Sequence, residues 1–169
     1  MKKVSVLALS LLAAAHISAA SASDGKVTFT GLINSQTCTA SSPVVDMPPL
    51  GTSALTAAAQ IAGEIAFSID LTNCSPTTGN VYAYFEQGSN VNANGRLNNT
   101  GTATNVDLQL LDSAKNLINL GTADQTSSAT TVPLANGQAS LPYTARYYAT
   151  GPVTAGSFAS SVTFSIVYL

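Results

Sequence analysis

The chain has 169 residues, of which 46% are hydrophobic and only 8% charged. Six Lys and Arg stand against eight Asp and Glu, a formal net charge of −2. With no basic cluster, nucleic acid is excluded as a partner class.

The opening residues read as a secretory leader. Lys2 and Lys3 form a basic start, Val4 to Ala15 is an apolar run, and Ala20-Ser21-Ala22 is a small-x-small cleavage site. The apolar run is too short to span a bilayer. The expected divisions are a signal peptide at 1–22, an N-terminal extension at 23–34 and a domain at 35–169. Removing the leader also removes His16, the chain's single histidine, and leaves four bases against eight acids, a net charge of about −4. Without histidine there is no acid–base or nucleophile-activating side chain of the usual kind. Asp70, Glu86, Asp107 and Asp112 carry no glycosidase motif, and Asp70 and Asp107 are expected at strand surfaces or turns. No phosphate-binding glycine loop and no metal-ligand spacing is present. Catalytic, cofactor and metal sites are therefore expected to be absent, as is a small-molecule substrate.

After the leader, Gly25-Lys26-Val27-Thr28-Phe29-Thr30-Gly31-Leu32-Ile33 alternates like a strand. Val27, Phe29, Gly31 and Ile33 share one face, and Lys26, Thr28 and Thr30 the other. Cys38 and Cys74 are the only cysteines. In an exported chain an even pair reads as a disulfide, closing a loop of about 35 residues. The prolines at 43, 48 and 49 mark an edge strand or loop. Residues 52–63 have the best helical propensity in the chain and predict a short helix or 3₁₀ turn stopped by Gly63.

Residues 64–74 alternate, with Ile65, Phe67, Ile69 and Leu71 on one face, and deliver Cys74 just past a buried strand. A strand follows over 80–88, then a turn-rich stretch with a hairpin signal at Asn94-Gly95. Residues 106–121 read as two strands around a tight turn near Ser113 to Asn116. Another strand lies within 139–151, where Pro142 suggests a start after the proline, and Tyr143, Tyr147 and Tyr148 are expected in the sheet. The final run places Phe158, Val162, Phe164, Ile166 and Tyr168 on one face and Ser157, Ser161, Thr163 and Ser165 on the other.

About six or seven strands separated by Gly, Pro and Asn turns predict an all-β sandwich. An immunoglobulin-like sandwich needs seven. The sequence ends on a strand at Leu169, which leaves no residues for a neighbour beyond it. A sandwich lacking that last strand keeps an apolar groove open, and such a groove and edge drive association.

The extension through Cys38, the "FSIDLTNC" before the second cysteine, the "YTARYYATGPVTAG" stretch, Gly156 fourteenth from the end and the penultimate Tyr168 resemble, in order and spacing, the subunits of chaperone–usher fimbriae of the type 1 and P-pilus kind. The resemblance covers the whole chain after the leader. It implies an incomplete immunoglobulin-like sandwich lacking the final strand and completed by donor-strand exchange. Gly25, Val27, Phe29, Gly31 and Ile33 would be the donor positions. Gly156, Phe158, Val162, Phe164, Ile166, Tyr168 and Leu169 would form the groove and C-terminal strand. The implied partners are neighbouring pilin subunits, a periplasmic chaperone that anchors the C-terminal carboxylate, and an outer-membrane usher. The implied destination is a cell-surface fimbrium reached through the periplasm. The alternatives are a stand-alone secreted β-sandwich binding module or a minor pilus adaptor. A tip adhesin is disfavoured, because about 147 residues leave no room for a lectin domain and the tip has no neighbour ahead to complete.

Overall fold

The computed structural model describes residues 26–31, 35–123, 125 and 131–169. The expected leader lies outside the described residues. The chain divides into two units, Met1–Ile33 and Asn34–Leu169.

The second unit is all-β. Its strands are β1 (Thr37–Ala40), β2 (Ile61–Ser75), β3 (Asn80–Phe85), β4 (Leu97–Asn98), β5 (Val106–Leu111), β6 (Val132–Pro133), β7 (Ala139–Ala149) and β8 (Phe164–Tyr168). One sheet runs β1-β2-β7-β5-β4 and the other β6-β3-β8. The only helical element among the described residues is a 3₁₀ turn at Thr52–Ala54, the shorter of the two forms expected for that stretch.

Strand periodicity builds the core. On β2, Ile69 and Leu71 are buried while Asp70 and Thr72 face outward. On β7, Leu141, Tyr143, Ala145, Tyr147 and Ala149 are buried at every second position, and Val81, Ala83 and Phe85 answer from β3. The Tyr143 hydroxyl accepts the Ala83 N–H at 3.3 Å, so this ring links the two sheets and its polar end is satisfied. Burial pushes its phenol pKa up.

Three local expectations are corrected. Gly63 does not stop a helix but lies within β2, with φ +66° at the register shift between Ala62 and Ile65. A Cβ there would stand 2.8 Å from the Tyr147 ring, so only glycine fits both the backbone and the space. β7 does not wait for Pro142 but begins at Ala139, with Pro142 opposite Ser68 of β2. The ladder from β5 ends at Thr144, so at Pro142 one side of β7 has no strand among the described residues to receive an N–H, the setting in which proline is tolerated. The second arm of the 106–121 pair is reduced to a bridge from Leu117 to Leu111 after the turn at Asp112–Asn116.

Asp107 is also not at a surface. It is 8% exposed on the outer face of β5. Arg96 Nε donates to it at 2.9 Å and Asn92 Nδ2 at 3.0 Å, and the Arg96 guanidinium lies 4.1 Å over the Tyr148 ring. Asp70 does lie at a strand surface, accepting the Ser140 hydroxyl at 2.6 Å.

The Cys38–Cys74 disulfide is formed, tying β1 to β2 across 36 residues of sequence. A loop of that length implies that Cys38→Ser lowers unfolding free energy by about 2–4 kcal/mol. Urea unfolding of the variant should match the reduced wild type; an unchanged midpoint would show the bond contributes nothing.

Candidate functional site: an open groove beside β8

β8 is the last strand of its sheet, paired with β3 alone. Its register runs from Val81–Tyr168 to Phe85–Phe164, and its other edge has no strand partner among the described residues. Across from it lies 41–50, which forms no strand. Pro43, Pro48 and Pro49 remove three N–H donors there, which disfavours a continuous ladder along this wall. Between the walls opens a groove of about 1300 Å³. Its floor is core side chains, among them Phe67, Ile69, Phe85, Leu108 and Tyr147. This is apolar surface of the kind a sandwich ordinarily covers with a further strand.

The rim that precedes β8 is fixed by polar contacts. Ala103 N donates to Ser157 O at 3.0 Å, Thr100 N to Ala159 O at 2.8 Å, and Asn99 Nδ2 to Ser157 O at 3.2 Å. Gly156 is where the 101–103 loop crosses: a Cβ on it would lie 2.7 Å from the Thr102 carbonyl carbon. Gly101 meets Ser157 in the same way, a partner the sequence reading did not single out. Further along, Thr163 Oγ1 donates to Glu86 Oε2 at 2.9 Å, and the Ser165 hydroxyl donates to the other carboxylate oxygen.

The predicted groove residues separate. Gly156, Phe158, Val162 and Phe164 line the opening. Phe158 sets its ring edge-on to Tyr147 at 5.1 Å, and Phe164 packs at 6.4 Å from Phe85. Ile166 and Tyr168 are half-buried against the core but do not line the groove. Leu169 is 67% exposed, with its N–H donated to Asn80 O. Sequence reading missed the floor contributed by β5, whose Leu108 and Leu110 are visible only as ordinary strand residues, and the buried amide of Gln125. That amide donates to Phe85 O at 2.7 Å and accepts Phe85 N–H at 3.0 Å, holding a floor residue in place.

In the first unit, residues 26–31 belong to no strand and all are exposed. Val27 is 75% and Phe29 89% exposed, and a Cβ on Gly31 would meet nothing within 4 Å. The predicted donor positions Gly25 and Ile33 lie outside the described residues.

An all-β sandwich with one strand's place left open defines an incomplete immunoglobulin-like fold of the pilin type. The family model described as "Fimbrial protein" matches residues 27–168, and the chain belongs to that family, the subunits of chaperone–usher fimbriae. It is similar to the "Major fimbrial subunit SMF-1" of Stenotrophomonas maltophilia (strain K279a), 42% identical over 94% of this chain and 99% of the relative. It is 38% identical to the "F17 fimbrial protein" of Escherichia coli, over 99% of both chains. The crystal structure of the P pilus rod subunit PapA shares the fold, with a TM-score of 0.59 at 23% identity over 85% of this chain and all of that one. The family consists of structural subunits, not enzymes, and this chain is a structural subunit of a surface fimbrium.

The hydroxyls of Ser165 and then Thr163 hold the Glu86 carboxyl below its ordinary value of 4.5, against a smaller upward push from desolvation. A depressed folded value stabilises above about pH 4.5 and is lost as pH falls through the folded value. Hydrogen exchange of the 163–165 amides, corrected for intrinsic rates, should therefore speed up below pH 4.5. Glu86→Gln should flatten that dependence; an equal pH response in the variant would contradict the anchoring role.

Proposed function

We propose that this subunit polymerises head to tail, each copy inserting its 25–33 extension into the groove of the neighbour ahead. The observation that carries the reading is the pairing of an open apolar groove beside an unpartnered strand edge with an exposed segment of alternating apolar residues. Such β-augmentation draws affinity from main-chain bonds to the free edge and specificity from alternate side chains. Burying Val27, Phe29 and Ile33 would contribute about 1.5–3 kcal/mol each. Gly31 offers no side chain, which suits close approach of the groove backbone.

Before assembly, the same groove and edge are an aggregation hazard. A periplasmic chaperone covers them, with an outer-membrane usher as the place of exchange. The route is export through the periplasm to an adhesive fimbrium on the cell surface. The partners are neighbouring copies, the chaperone and the usher.

Residues 35–169 alone should aggregate or melt low. The same domain with a copy of Gly25–Ile33 fused after Leu169 through a short linker should be a monomer melting well above it. Equal melting temperatures would overturn the missing-strand reading. Phe29→Asp should leave chaperone-bound subunit intact yet abolish fibres seen by electron microscopy; normal fibres would contradict the donor role.

A further inference from the structure

Among the described residues the side-chain charges are nearly all accounted for, and the two left over are complementary. Among the described residues, Arg96 pairs with Asp107, and Lys115 and Arg146 both pair with Glu64. Asp70 accepts the Ser140 hydroxyl, Glu86 accepts Thr163 and Ser165, and Asp112 accepts the backbone and side chain of Asn116. One cation and one side-chain carboxylate make no ion pair or hydrogen bond among the described residues: Lys26 and Asp46. Lys26 lies on the extension. Asp46 is the only charged residue among those that line the groove.

We propose that Lys26 of an incoming extension forms an ion pair with Asp46 on the groove wall of the copy it completes. The inference rests on the head-to-tail reading above and adds to it a determinant of register. Strand alternation supports it. With Val27 and Phe29 turned into the groove, Lys26 faces the mouth, where Asp46 is exposed. The wall runs from Ala40, opposite Leu71, past Pro48, which packs 3.4 Å from the Cβ position of Gly63, to Leu55, whose carbonyl accepts the Val153 N–H at 3.0 Å. Asp46, two residues before Pro48, is thus set part-way along the groove and not at its Ala40 end. A pair of opposite charges at that point penalises the two-residue slips that would keep the same apolar face inward.

The test compares intact fibres assembled from full-length wild type, Lys26→Glu, Asp46→Lys and the double reversal, following dissociation into subunits in denaturant. Each single reversal should speed dissociation about two- to fivefold, as for an exposed ion pair, and the double reversal should return to within about twofold of wild type. The gap between wild type and single variants should shrink in high salt. If a reversal is not exported, the neutral pair Lys26→Gln and Asp46→Asn serves: each should slow nothing and speed dissociation, and the two together should be no worse than either alone. A combined effect equal to the product of the single effects, with fibres otherwise normal, overturns the ion pair while leaving head-to-tail assembly standing. Failure of the wild-type chain to form fibres with its chaperone and usher overturns that assembly and the ion pair with it.

Discussion

The unpartnered edge of β8 is the constraint on which the rest of the structure depends. A strand that faces the core on one side and pairs with β3 along one edge must leave its other edge to water, to a neighbour or to a further strand. Here the opposite wall forms no strand, and prolines at 43, 48 and 49 interrupt its run of donors. The core is therefore open at a defined place. The floor side chains Phe67, Phe85 and Tyr147 are ordinary core residues of the two sheets, so the groove is continuous with the interior of the domain. In the proposed assembly, filling it completes the fold and joins two molecules in one step.

An open margin of this kind must be held in shape by something other than the missing strand. Side-chain and loop contacts do so. Glu86 anchors the start of β8 through two hydroxyls, Asn99 and the 100–103 loop hold the rim ahead of it, and the Gln125 amide pairs with the Phe85 backbone as a strand residue would. Gly101 and Gly156 allow the loop and the rim to touch backbone to backbone. These contacts surround the groove without occupying it, so the edge is preorganised while remaining free, which would lower the ordering cost of the proposed strand addition.

Much of this was legible in the sequence where the signal is local. The alternation of Ile65 to Leu71, that of Phe158 to Tyr168, the proline-rich wall and the cysteine pair all reflect period and chemistry within a few residues. What escaped depends on contacts distant in sequence. Gly63 reads as a helix stop until Tyr147, far along the chain, is seen to occupy the space of its side chain. Pro142 reads as a strand boundary until the β5 ladder is seen to end at Thr144. Asp107 reads as a surface acid because its partners Arg96, Asn92 and Tyr148 converge only once β4, β5 and β7 are adjacent. Gly156 is recognisable from its position, but its physical reason, the crossing of the 101–103 loop, is visible only in three dimensions.

On the proposed head-to-tail reading, the groove, the extension and the charge left on each are two halves of one interface carried by different copies. A cryo-electron-microscopy map of intact fibres, resolved to side chains, tests this most directly. The account predicts density for residues 25–33 of one copy lying along β8 of the next, with Val27 and Phe29 buried in the groove and Lys26 at Asp46. A groove filled by another segment, or an extension lying outside any groove, would contradict it.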